Sequence, residues 1–146
     1  MTMSARTVVV SCSIAVLCCL AIVNQSYGQT GAPEGAKAYI ISPKNGDVVT
    51  SPVTVRFGLM GMGVAPAGID YPDTGHHHLL LDADLPPLNE YIETDHPNYL
   101  HYGGGQTEAV LDLEPGNHTL QMLLGDLDHL PHVPPVMSEK ISITVE

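Results

Sequence analysis

From residue 38 to the end of the chain, apolar side chains recur with a period of two, and Gly/Pro turns break every run. Val53, Val55, Phe57 and Leu59 alternate with Thr54, Arg56 and Gly58. His118, Leu120, Met122 and Leu124 share one face of 117–125, and Ile141, Ile143 and Val145 share one face of 138–145. This is the pattern of half-buried strands, and no window carries a convincing 3.6-residue period. Short strands separated by turns must close face to face, as a sandwich or a barrel. Strands are expected at 38–42, 53–59, 76–83, 107–113, 117–125 and 138–145, with a loop at 60–75 and a long connection at 84–106. The stretch Leu113-Glu114-Pro115-Gly116-Asn117-His118 reads as an E–F corner, with His118 in place of the aromatic that bonds back across it. The expected fold is therefore all-β, an immunoglobulin-like sandwich of about seven strands. Val53, Val55, Phe57, Leu79, Leu81, Leu120, Met122, Ile141 and Ile143 should form its core.

The N-terminal segment is of another kind. Arg6 precedes an apolar run from Thr7 to Val23, and Ser26-Tyr27-Gly28 puts small residues where a signal peptidase reads. Residues 1–28 are expected to be a cleaved export signal, 29–37 a flexible lead and 38–146 a single domain. The run sits at the short edge of a membrane span, and the small-residue site favours cleavage. Val9-Val10-Ser11-Cys12 loosely resembles a lipoprotein box, but the apolar run lies after it rather than before it, which argues against lipidation.

Charge and cysteine usage exclude several classes. A chain starting at Gln29 keeps all sixteen acids and only Lys37, Lys44, Arg56 and Lys140 as cations. Such a chain cannot neutralise a phosphate backbone, which excludes nucleic acid as a partner. It is equally unsuited to anionic lipid, so no membrane role beyond export is expected. Cys12, Cys18 and Cys19 all lie in the signal, so the exported domain has no disulfide, thiolate ligand or cysteine nucleophile.

Several motifs occur in order: Gly75-His76-His77-His78-Leu79-Leu80, His101-Tyr102-Gly103-Gly104-Gly105-Gln106-Thr107-Glu108, Pro115-Gly116-Asn117-His118-Thr119-Leu120, then Gly125-Asp126 with His129 and Pro131-His132. Together they resemble an exported bacterial family, domain of unknown function 4399, over roughly residues 38–146. The resemblance implies a secreted or periplasmic location and supplies no activity. The Pro43–Phe57 region also resembles the first hairpin of bacterial immunoglobulin-like modules.

All eight histidines follow the signal. In the expected topology His76–His78 begin strand C, His101 and the triple glycine precede strand E, and His129 and His132 hang from the F–G loop. All three segments gather at one loop pole. Alternation along a strand sends His76 and His78 to one face and His77 inward with Leu79 and Leu81. The expected metal ligands are His76, His78, His101 and His129, with His132 in reserve and Asp126 or Asp128 orienting a ring. Met60 and Met62 begin the B–C loop as either core plugs or soft ligands. His118 is expected to be structural, and Asp82 and Asp84 to be solvated acids. Imidazoles without thiolate suit Cu(II), Zn(II), Ni(II) or Fe(II), and the Irving–Williams order favours copper, with zinc the alternative. The layout is similar to that of small periplasmic copper carriers built on immunoglobulin-like sandwiches.

Three functions compete. The first is a periplasmic metal-binding protein for copper. The second is a non-catalytic cell-envelope interaction module, partnered by another envelope protein through outward-facing Leu80 and Leu123, unless the 84–106 connection covers them. The third is a metal-dependent enzyme. His76-x-His78 resembles the His-x-His of copper/zinc superoxide dismutase, but that family's zinc loop and disulfide pattern are missing. No serine stands in a nucleophile-elbow context, and a non-enzymatic role is favoured.

Overall fold

The computed structural model describes residues 28–146. The export-signal reading, with Arg6, Cys12, Cys18 and Cys19, falls on or before residue 28 and so lies essentially outside the described residues.

Nine strands follow one another: β1 (Lys37–Ser42), β2 (Val48–Val49), β3 (Val53–Met60), β4 (Gly63–Val64), β5 (Thr74–Leu81), β6 (Tyr99–Tyr102), β7 (Glu108–Leu111), β8 (Gly116–Gly125) and β9 (Ile141–Val145). No helix occurs among the described residues. One sheet has the order β1-β3-β7; the other runs β2-β9-β8-β5-β4, with β6 also paired to β5. Neighbours are antiparallel except β2 on β9 and β4 on β5, which are parallel. The two sheets correspond to A-B-E and A′-G-F-C-C′ of an immunoglobulin-like sandwich, with β6 in the C′ place and the two-residue β4 an addition along the same edge of β5. The strands beyond the six located from alternation are β2 and β4, of two residues each, and β6, which lies inside the expected long connection.

Strand parity follows the alternation. Leu79 of β5 and Leu120, Met122 and Leu124 of β8 point between the sheets and meet Val53, Val55 and Phe57 of β3. Leu79, Leu120 and Met122 are fully buried, which contributes about 1.5–3 kcal/mol each. Leu81 and Ile141 pack only partly buried at the margin of this core. The opposite parity forms a second cluster on the outer face of the larger sheet. There Leu80 and Leu123 are buried with Ile92, and Leu85, Leu88, Tyr99 and Met137 pack around them. The 84–98 connection thus covers the patch that an envelope partner would have used.

Residues 29–33, expected as a loose lead, are docked instead. Gln29 Nε2 donates to Leu88 O (2.6 Å) and Pro131 O (2.8 Å), and Thr30 Oγ1 donates to Asp126 Oδ2 (2.8 Å). Backbone bonds of 2.9 Å from Ala32 N to Val133 O and from Val133 N to Thr30 O complete the attachment. These groups satisfy backbone carbonyls of two loops that no sheet ladder reaches.

At the opposite end, His118 closes the E–F corner. Its Nε2 lies 2.9 Å from Glu114 O and its Nδ1 lies 2.7 Å from Asp82 Oδ2. Both partners are acceptors, so an imidazolium, which donates from both nitrogens, satisfies both. The carbonyl of Glu114 first, then the Asp82 carboxylate, raise the His118 pKa. Asp82 Oδ1 also accepts Thr119 N at 2.7 Å, and Asp84 pairs with Lys140 at 2.6 Å. Asp84 is the solvated acid expected, carrying one exposed ion pair, whereas Asp82 is engaged at the corner.

Candidate metal centre

The His-x-His of β5 lies on the outer face of the larger sheet, because Leu80 shares its parity and belongs to the outer cluster. β6 runs antiparallel beside it, and its register sets His101 directly opposite His78. Cross-strand partners share a face, so His101 joins the pair without a loop. This corrects its expected placement before strand E: β7 begins only at Glu108. His129 arrives from the β8–β9 loop with a φ of 66°, a left-handed conformation uncommon for a residue with a side chain. The centre thus sits on the outer sheet face near one end of β5, where the β8–β9 loop brings His129 to it.

One nitrogen from each of His76, His78, His101 and His129 lies within 4.8 Å of the others. Ring centroids are 4.7–5.8 Å apart, and His101 Nε2 and His129 Nε2 approach to 3.0 Å. Metal–nitrogen bonds of about 2.0–2.1 Å set nitrogens about 3.3 Å apart in a tetrahedron, so the four rings need only small adjustments to share one ion. These four residues could hold a metal ion.

The rings are also prepared electrostatically. His76 and His78 are fully buried, and neither nitrogen of either ring has a hydrogen-bond partner among the described residues. Burial, reinforced by the neighbouring imidazoles, lowers the His76 pKa to about 3 and that of His78 to about 2. Burial also lowers those of the more exposed His101 and His129. Neutral imidazole is the ligating form, so the cluster is poised for a cation and not for protons.

Glycines make the space. A Cβ on Gly125, the register partner of His76, would lie 2.8 Å from His78 Cε1. A Cβ on Gly103 would lie 2.3 Å from His101 Nε2. The triple glycine was expected to shape a tight turn; Gly103 in addition leaves room for a ligand ring. Gly125 entered the sequence analysis only within the Gly125-Asp126 motif and with no role of its own, although a glycine ending an alternating strand marks a close approach.

The remaining expected residues fall elsewhere. His132 is buried, with Nε2 3.2 Å from Thr74 O, and stands outside the group of four. His77 faces the core, its ring 5.3 Å from that of Phe57, with both nitrogens unpartnered among the described residues and its pKa lowered to about 4 by burial. Met62 packs against the main core, across the sheet from the cluster, and Met60 is exposed. Asp126 orients no ring: its carboxylate accepts Thr30, Asp128 and Leu130. A cleft of about 560 Å³ adjoins His129, lined by Ala67, Gly68, Leu127 and Leu130 and by Tyr91, whose ring lies 5.2 Å from the imidazole.

No curated protein and no solved structure matches the chain. The profile of one family, described as Domain of unknown function (DUF4399), matches residues 55–146, a span that holds all four clustered histidines. The motif resemblance and the profile agree, and the chain belongs to this family.

Proposed function

We propose that this protein is an exported metal-binding protein that takes copper from its surroundings for delivery or sequestration, with zinc the competing ion. One observation carries the reading: four imidazoles from three separate segments converge, and two of them are buried with no hydrogen-bond partner among the described residues. Burying a polar group without a partner costs about 1–3 kcal/mol, and a coordinate bond to a metal compensates that cost. The copper preference follows from all-imidazole ligation and the Irving–Williams order. Export rests on Arg6, the apolar run 7–23 and the small residues Ser26 and Gly28. His101 is exposed and His129 half-buried, and the cleft adjoins the latter, which supports exchange of the ion through that side.

The test is elemental analysis of untagged protein recovered from its native compartment, followed by titration of the metal-free protein with Cu(II) and Zn(II). One equivalent of copper is expected. His78→Ala should abolish stoichiometric Cu(II) uptake while the domain stays folded. Retained uptake in that variant, or native protein free of any transition metal, would refute the reading.

A further inference from the structure

Asp126 is 1% exposed, and among the described residues no lysine or arginine pairs with it. Its two oxygens are surrounded by donors. Oδ2 accepts Thr30 Oγ1 at 2.8 Å and Thr30 N at 3.4 Å; Oδ1 accepts Asp128 N and Leu130 N, both at 2.9 Å. A buried carboxylate supplied only with neutral donors keeps its negative charge uncompensated inside the protein. The chain places that charge beside the histidine cluster. Asp126 follows Gly125, the register partner of His76, and its carbonyl accepts His129 N at 3.1 Å. Its field acts on both rings: against the general lowering by burial, Asp126 works to raise the basicity of His76 and His129.

Four neutral imidazoles bring no charge to a bound ion. Among the described residues there is no cysteine, Met62 is turned into the core, Met60 into solvent and Met137 into the apolar cluster of Leu80, Leu123 and Ile92, so the histidine cluster offers nitrogen donors. Cu(I) draws its strongest stabilisation from soft sulfur donors, whereas a dication gains twice as much from a nearby anion.

We propose that the centre selects its ion by charge, holding a divalent ion, Cu(II) or Zn(II), in preference to Cu(I), and that the buried carboxylate of Asp126 sets this preference. The inference rests on the metal-binding reading above and adds the oxidation state of the cargo. Asp126 acts as a charge-compensating residue, not as a ligand.

The experiment compares Cu(II) and Cu(I) affinities, and the midpoint potential of bound copper, in the full exported chain and two variants. Asp126→Asn keeps the shape and removes the charge; Thr30→Val removes a hydrogen bond to the same carboxylate and leaves the charge. Loss of one unit charge within about 10 Å, at an effective dielectric near 20, should weaken Cu(II) on the order of tenfold more than Cu(I). The potential should therefore rise in Asp126→Asn and stay put in Thr30→Val. Equal weakening of both ions in Asp126→Asn, or the same rise in Thr30→Val, would overturn the proposal. Should Asp126→Asn fail to fold, the natural protein decides. Bound copper with a midpoint below that of the hydrated ion supports the preference for the divalent ion, and one at or above it overturns the proposal. A natural protein that takes up no metal fails the metal-binding reading itself.

Discussion

Gly125 has no side chain, and His78 depends on that. A methyl group there would stand 2.8 Å from Cε1, 3.2 Å from Nδ1 and 3.4 Å from Ile92 Cδ1. Gly125 is held in the β5–β8 ladder, so the ring must give way rather than the backbone. Gly125→Ala should lower Cu(II) affinity at least about tenfold and cost roughly 1–3 kcal/mol through overpacking, read by titration and thermal melting. Gly103→Ala displaces the exposed ring of His101, which can swing into solvent, so affinity should fall with little change in melting. The four clustered histidines were legible in the sequence as candidates because chemistry marks them. The glycine at 125 was not, since its role exists only once two strands are in register. His118 was legible through its corner motif. His118→Ala should cost about 1 kcal/mol for the lost bonds and leave metal affinity unchanged. Because its folded pKa is raised, its contribution is fully present below about pH 6.5 and fades as pH rises through the folded value. A titration of melting temperature in the natural protein and in His118→Ala should show the two curves converging at alkaline pH.

At the scale of the element, β5 assigns three adjacent histidines to two environments. Period-two geometry puts His76 and His78 on the outer face and His77 in the core beside Phe57. That division was readable from Leu79 and Leu81, as were the other long strands. β6 was not readable: Tyr99–Tyr102 is four residues between Pro97 and Gly103, too short for alternation to separate it from a loop. Its pairing with β5 is a long-range choice, and it alone brings His101 to His78. All three β5 histidines carry lowered pKa values, about 3, 4 and 2 in chain order. The unfolded chain takes up protons below about pH 6.5, while the folded metal-free domain does not. Stability of the metal-free domain is therefore present above that pH and is lost as pH falls from about 6.5 towards the folded values. Substituting His77→Leu removes a buried, unpartnered group that binds no ion here. The variant should melt at a more nearly constant temperature between pH 7 and pH 4.5, with Cu(II) affinity at pH 7 unchanged. Greater acid sensitivity in the variant would contradict this account. The same lowered values carry metal binding to more acidic pH than the ordinary imidazole value near 6.5 would suggest, because protons compete less well for the ligands.

At the scale of the whole molecule, the centre joins two strands of the larger sheet to the loop between β8 and β9. Its histidines come from β5, from β6 and from the β8–β9 loop, a span from residue 76 to residue 129. Residues 29–33 and the 84–98 connection lie against that same loop: Gln29 reaches Pro131 O, and Ile92 N donates to His129 O at 2.9 Å. The unfolded chain offers no assembled site, so an ion bound by the folded form stabilises it by mass action. With free Cu(II) at a hundred times its Kd, the gain is about 2.7 kcal/mol. For a domain of this size that raises Tm by on the order of 10 °C. A chelator should return the melting curve to the metal-free one, and His78→Ala should melt at the same temperature with and without copper. The size of the shift also reports where the ion sits. An ion held only by surface carboxylates would raise Tm equally in the natural protein and in His78→Ala. The four-histidine centre requires the whole difference to vanish in the variant, and a shift that survives there would place the metal elsewhere on this acidic chain.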